Sequence, residues 1–203
     1  MKKPVLVQIN CSPVGSTGRI MRAISEAAQD SGFESYMICA GDIKKIHGPK
    51  GLHPLSHVVE QKLQRKLNKF TGKYGQGFPR ATRQLLAMLD AFRPDIVQLH
   101  NLHHQFFDIG RLFGYLKEKQ LPTFWTMHDC WAWTGHCGHY AANGCNGWKT
   151  GCIKCNFLQK YPAIYKDTAH TLFRLKQEWY KGMPNLTMIA PSKWILEQKN
   201  QSF

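Results

Sequence analysis

Apolar positions along the chain fall into short continuous runs that alternate with longer stretches spaced like one face of a helix. Val5, Leu6, Val7 and Ile9 read as a buried strand at residues 5–9. A turn carrying Gly15-Ser16-Thr17-Gly18 then opens a helix in which Ile20, Ile24 and Ala27 recur at helical spacing. Gly32 is a fitting stop for that helix, and residues 35–40 read as a second strand. Residues 41–83 are less regular and strongly basic. Within them Val59, Leu63, Leu67 and Phe70 line one helical face, with Lys62, Arg65, Lys66 and Lys69 on the others, which predicts a basic amphipathic helix. Leu85, Leu86, Leu89 and Phe92 form a further helical stripe ending before Pro94. Residues 95–99 read as a third strand, 109–117 as a helix and 123–127 as a fourth strand. Residues 130–162 show no clean periodicity. The pattern resumes with a helix near residues 168–181, a strand at 186–190 and a helix start at Ser192. Strand and helix alternation of this kind predicts an α/β fold built on a doubly wound parallel sheet.

Ligands of such sheets bind at the carboxyl ends of the strands, near the switch in strand order. Three polar motifs directly follow predicted strands: residues 15–19, residues 100–104, and His128-Asp129. That geometry predicts that they converge on one cleft.

At 203 residues the chain is long enough for one full α/β domain and short for two, so residues 130–162 read as an insertion within it. No apolar run approaches the roughly 18 to 20 residues that cross a bilayer. The start, Met1-Lys2-Lys3-Pro4, leads into too short an apolar stretch for a signal peptide, which favours the cytoplasm. The net charge of +14 implies attraction to nucleic acid, anionic lipid headgroups or phosphorylated substrates, without choosing among them. For the basic helix, two readings stand: a face laid on the inner surface of the cell membrane, or an ordinary helix packed on the domain.

Gly15, Ser16, Thr17, Gly18 and Arg19 put two glycines, two hydroxyls and a cation at a helix N-terminus, where free N–H groups and the dipole favour an anion. The same residues suit a glycine turn with a helix cap. Their spacing matches neither a dinucleotide-binding fingerprint nor a P-loop, which disfavours a nicotinamide enzyme or an ATPase. His100, Asn101, His103 and His104 offer imidazoles and an amide that can hold sugar hydroxyls or a metal, and His128 beside Asp129 suits orienting or deprotonating a hydroxyl. Five of the seven cysteines lie between Cys130 and Cys155, a crowding that in a reducing compartment suggests a metal. Cys137, Cys145, Cys152 and Cys155, with glycines between them for tight turns, predict a structural zinc site. Cys130, His136 and His139 are spare candidates, while Cys11 and Cys39 read as buried core thiols.

The run His128-Asp129-Cys130-Trp131-Ala132-Trp133-Thr134-Gly135-His136-Cys137, followed by Gly147-Trp148-Lys149-Thr150-Gly151-Cys152-Ile153-Lys154-Cys155, resembles a subgroup of family-4 glycosyltransferases from colanic-acid and related exopolysaccharide pathways. The resemblance continues through Tyr161-Pro162 and into Ala190-Pro191-Ser192-Lys193-Trp194. It implies a GT-B architecture, two Rossmann-like domains facing a cleft, of which residues 1–203 form the acceptor-side one and the donor-binding one is missing. It further implies retaining transfer from a nucleotide-sugar to a glycan or lipid-linked acceptor without a catalytic metal. Residues 15–18 would then approach the donor phosphates, His128 would meet the transferred sugar or the acceptor hydroxyl, and this half alone would be inactive. Two other readings compete: a zinc-containing nucleic-acid-binding module, disfavoured because the motifs describe a cleft, and a non-catalytic remnant or subunit completed by a partner chain.

Overall fold

A computed structural model of the chain describes residues 2–40 and 51–203; the first part of the basic stretch, residues 41–50, lies outside the described residues. Six parallel strands form one sheet: β1 (Val5–Asn10), β2 (Glu34–Ala40), β3 (Leu52–Leu55), β4 (Ile96–Leu99), β5 (Thr123–Thr126) and β6 (Leu186–Ile189). Their order is β3-β2-β1-β4-β5-β6, so the chain winds outward to one edge, returns to the centre and winds to the other. This is the doubly wound α/β architecture expected. Central β1 is buried along its whole length, as a strand covered on both faces must be, with Leu6 opposite Ser35 on one side and Ile96 on the other.

Among the described residues the helices are α1 (Gly15–Asp30), α2 (Val58–Thr71), α3 (Pro79–Phe92), α4 (Ile109–Glu118) and α5 (Ala169–Tyr180), which lie between strands, and α6 (Lys193–Lys199), which follows β6. Strand β3 escapes the sequence pattern because Leu-His-Pro-Leu is too short to show a period and carries a proline. At the sheet edge that proline is tolerated, and Pro54 stands opposite Cys39. Both Cys11 and Cys39 are buried core thiols. Between β5 and α5 the aperiodic segment holds three single turns of 3-10 helix, at Trp131–Trp133, Tyr140–Asn143 and Gly147–Thr150.

Helix α2 packs with its polar side inward. Gln61 and Asn68 are its buried residues. Gln61 Nε2 donates to the Leu55 carbonyl (3.2 Å), and Asn68 Nδ2 donates to the Gln76 carbonyl (3.0 Å) and to Gln105 Oε1 (2.9 Å). With its amides satisfied inside, the helix leaves Val59, Leu63, Leu67 and Phe70 more than half exposed. The single acid of α2, Glu60, accepts from the backbone N–H groups of Arg80 (3.0 Å) and Ala81 (2.9 Å), capping α3. No helix among the described residues is long and apolar enough to cross a membrane.

Candidate functional site

Because all strands are parallel, their carboxyl ends share one edge, and the switch in strand order falls between β1 and β4. The loops leaving these two strands are tied together. His100 N donates to the Ile9 carbonyl (3.0 Å), and Cys11 N donates to the Asn101 carbonyl (3.1 Å). Asn10, at the end of β1, accepts from Cys11 N (2.9 Å) and Asn101 N (3.3 Å), and its amide donates to Ser12 O (3.1 Å) and Thr17 Oγ1 (3.2 Å). One buried asparagine therefore fixes the glycine turn against the histidine loop. In that turn Gly18 is required by packing, since a Cβ there would sit 2.4 Å from the Pro13 carbonyl carbon. Gly15, Ser16 and Arg19 are exposed at the start of α1, and Thr17 is half-buried.

Two hydrogen-bond chains run through the histidines. In the first, Gln8 Nε2 donates to the Met21 carbonyl (3.0 Å), which leaves Gln8 Oε1 as the acceptor facing His100 Nε2 (3.2 Å). His100 thus carries its proton on Nε2, and its Nδ1 accepts from His128 Nε2 at 2.9 Å. His128 is left with a lone pair on Nδ1 that engages no group among the described residues. Burial, and then the neighbouring His128, push His100 down to about 3, and burial holds His128 below the ordinary histidine value, so both rings are neutral near pH 7.

In the second chain, Asp129 Oδ1 accepts from Trp131 N (2.9 Å) while Oδ2 lies 3.5 Å from His103 Nδ1. A carboxylate only accepts, so His103 presents N–H on that side and a lone pair at Nε2 to the Tyr161 hydroxyl (2.9 Å). The Tyr161 oxygen in turn accepts from His104 Nε2 (2.8 Å). Burial, opposed by Asp129, pushes His103 down to about 4. Burial, reinforced by Cys11 and Asp129, pushes Tyr161 up to about 12, so its hydroxyl stays protonated. Trp125 supports the floor by donating from Nε1 to the His100 carbonyl (2.8 Å).

His100, His103, His128 and Asp129 therefore meet at the switch point as expected, but in two layers. His100 and His103 are 1% and 2% exposed and bond to His128 and Tyr161, whereas His104 is exposed, Asn101 and His128 are half-buried, and the Asp129 side chain is 10% exposed. Space beside the histidines is only about 10 Å³. A far larger concavity, about 780 Å³, runs along the outer side of α2, away from these groups. The histidine cluster is a packed set of rings with almost no cavity beside it.

The second group is the thiol cluster. Donor atoms of His136, Cys137 and Cys155 all lie within 4.8 Å of one another. His136 Nε2 is 3.1 Å from Cys155 Sγ and 3.7 Å from Cys137 Sγ, while Nδ1 donates to the Pro162 carbonyl (3.1 Å). Cys155 Sγ also accepts from Phe157 N (3.4 Å), and Cys152 Sγ accepts from Gly135 N (3.2 Å). The bond from the Cys137 thiol, together with His136, pulls the Cys155 thiol well below the usual range. Of the four expected cysteines, Cys145 and Cys152 fall outside the tight group, and the spare candidate His136 falls inside it.

Lys176 of α5 is fully buried next to this cluster. Its Nζ donates to the carbonyls of Trp131, Thr134 (3.0 Å) and Gly135 (3.4 Å) and lies 3.4 Å from the centroid of the Trp131 ring. Burial drives its pKa well below the ordinary lysine value, opposed by Cys152, Asp129 and Cys137. Sequence reasoning missed Gln8, Asn10, Tyr161 and Lys176 as parts of the site. For the first two a signal existed, since polar residues inside a strand that is otherwise continuously apolar must have buried partners. Tyr161 stands in the run that carries the resemblance, but its bonding to His103 and His104 was not readable, and Lys176 carries no signal, because the partners of both come from distant segments.

No family model matches the chain. The chain is 31% identical over 117 residues to the provisionally assigned colanic acid biosynthesis glycosyl transferase WcaC of Escherichia coli (strain K12). The match takes in 54% of this chain and 28% of WcaC, so the chain spans well under half the length of that relative.

Proposed function

We propose that this chain is the acceptor-side half of a retaining, GT-B type glycosyltransferase that acts in surface-polysaccharide assembly. A nucleotide-sugar is the donor, and a growing glycan or lipid-linked oligosaccharide is the acceptor. The observation that carries this reading is the preset state of His128: at the switch point of a parallel sheet, the chain from Gln8 through His100 fixes its tautomer and leaves Nδ1 free to accept a hydrogen bond. A neutral imidazole so held orients a sugar hydroxyl, with Asp129 and Asn101 lining the same small space. The exposed first turn of α1, residues 15–19, is suited to the donor diphosphate. The reading assigns the nucleoside and most phosphate contacts to a second domain that residues 1–203 do not contain, and it needs no catalytic metal.

The reading also places the enzyme on the inner face of the cell membrane, where a lipid-linked acceptor is found. In support, the exposed apolar row of α2 is flanked by exposed Lys62, Lys66, Lys69 and Lys73, the pairing that anionic headgroups over an acyl layer require.

The test is transfer from labelled nucleotide-sugars to lipid-linked acceptor by an enzyme carrying both halves. His128→Ala is expected to cut turnover about 100-fold or more, with a fall in stability of no more than about 1 to 3 kcal/mol for the donor lost to buried His100 Nδ1. Residues 1–203 alone are expected to transfer nothing. A variant that is mainly unstable, or multiple turnovers by residues 1–203, would overturn the assignment.

A further inference from the structure

We propose that the segment between β5 and α5 folds around one structural zinc ion held by His136, Cys137, Cys152 and Cys155, with Cys145 outside the ligand set. The inference stands independently of glycosyl transfer. Sequence spacing alone selects four cysteines; the folded geometry gathers His136 with Cys137 and Cys155, and leaves the fourth place to be chosen between Cys145 and Cys152.

Tetrahedral zinc with bonds of about 2.3 Å to sulfur and about 2.0 Å to nitrogen sets its ligand atoms about 3.5 to 3.8 Å apart. The 3.1 and 3.7 Å separations from His136 Nε2 to the Cys155 and Cys137 sulfurs approach the edges of such a tetrahedron. His136 is also oriented as a ligand. Its Nδ1–H is committed to the Pro162 carbonyl (3.1 Å), so Nε2 faces the sulfurs with its lone pair, the outer-shell arrangement typical of metal-bound histidine.

Cys152 completes the set for two reasons. It pairs with Cys155 in the two-residue spacing that lets two thiolates share one ion, and its sulfur accepts from the N–H of Gly135 (3.2 Å), the residue before His136 in the chain. The second such bond, from Phe157 N to Cys155 Sγ (3.4 Å), completes a pattern in which backbone donors stabilise thiolates. Three thiolates and a neutral imidazole around a dication carry one net negative charge. Lys176 stands opposite it, its Nζ surrounded by three carbonyls and an indole face, as suits an ammonium group. Three soft sulfurs and one imidazole in a tetrahedron favour zinc over magnesium or calcium.

The ion has a structural task that reaches the cleft. The residue before Pro162 is Tyr161, whose hydroxyl joins His103 to His104, and whose carbonyl accepts from Gly138 N (3.3 Å) one residue beyond Cys137. Fixing His136 and Cys137 therefore fixes the strand of chain that carries Tyr161 into place.

The experiment is metal analysis of the 203-residue chain purified under reducing conditions, followed by zinc-edge X-ray absorption. The expected result is about one zinc per chain, with a shell of three sulfurs and one nitrogen. Cys145→Ser is expected to retain a full equivalent of zinc, and Cys155→Ser to lose it. A four-sulfur shell, or loss of zinc in Cys145→Ser, would overturn the ligand set. Metal-free protein with readily titrated thiols and an unchanged fold would overturn the site itself.

Discussion

The sheet and the segment that interrupts it between β5 and α5 are held by different physics. In the sheet, stability is spread over many equivalent apolar positions: Val7, Ile9, Ile38, Val97 and Leu99 are all essentially inaccessible, and every neighbouring strand pair adds a ladder. In the inserted segment, order rests on a few strong points. Trp131, Trp133 and Trp148 are buried, yet their indole N–H groups find no partner among the described residues, and the chain around them makes only single 3-10 turns. What stands in for a ladder is a buried lysine bonded to three carbonyls, a thiol and imidazole cluster, and a few long-range bonds. Distributed burial should degrade gradually under substitution, whereas point chemistry should fail at once.

Lys176→Met is the sharpest way to break that contrast. It keeps the aliphatic bulk but strips the donors from three buried carbonyls, each of which costs about 1 to 3 kcal/mol when left unpaired. A loss of about 3 kcal/mol or more in urea unfolding is expected. The failure should be local at first: the near-ultraviolet signal of the tryptophans and protection from protease within residues 130–162 should go before the far-ultraviolet signal of the sheet. An unchanged midpoint would show that this lysine is packing and nothing more.

A smaller effect separates the cleft edge of the sheet from its interior. His100 and His103 are held neutral down to about 3 and about 4, while in the unfolded chain they protonate near 6.5. The unfolded state therefore binds more protons below pH 6.5, so the stability these residues permit is complete above that value and falls with pH toward the folded values. Together they should cost about 2 kcal/mol between pH 7.0 and 5.5. Urea titrations at both pH values would measure it. His103→Gln should lose about half of the difference, and an identical pH dependence in the variant would show that other groups, such as the thiol cluster, carry it.

Five of six strands could be read from the sequence, β1 most plainly because a strand covered on both faces must be nearly continuously apolar; β3 could not, because four residues with a proline show no period. The convergence of residues 15–19, His100 and His128 followed from parallel topology alone. The layering did not, because whether an imidazole touches a ligand or props another imidazole depends on Gln8 and Tyr161, which come from distant parts of the chain. The cysteine spacing predicted a metal site, and the fold gathers only Cys137 and Cys155 of the four into one that could hold an ion. His136 could not be ranked above Cys145 without the Pro162 carbonyl that orients it. Helix α2 shows the limit most clearly, since an apolar row at helical spacing reads the same whether it faces the core or the solvent.

That helix offers the smallest expected change in stability and a decisive comparison with α4. In α4 the apolar row is the buried one, with Ile109, Leu112, Phe113 and Leu116 all inaccessible, so Leu112→Ser should cost several kcal/mol, at least the 2 to 5 of a core truncation. In α2 the docking groups are the amides of Gln61 and Asn68, and Leu63 and Leu67 are 66% and 53% exposed. Leu63→Ser with Leu67→Ser should therefore leave folding stability within about 0.5 kcal/mol, the usual range for surface changes. If the outward row serves an anionic bilayer, the same double variant should lose most of its flotation with vesicles containing acidic lipid, because the acyl contact is gone while the lysines remain. Replacing Lys62 and Lys66 by Gln should weaken flotation more at low salt than at high salt, because only the electrostatic part is screened. Destabilisation of the leucine variant by a core-like amount would show that the row is packed in solution. Undiminished flotation would assign membrane attraction to the lysines alone.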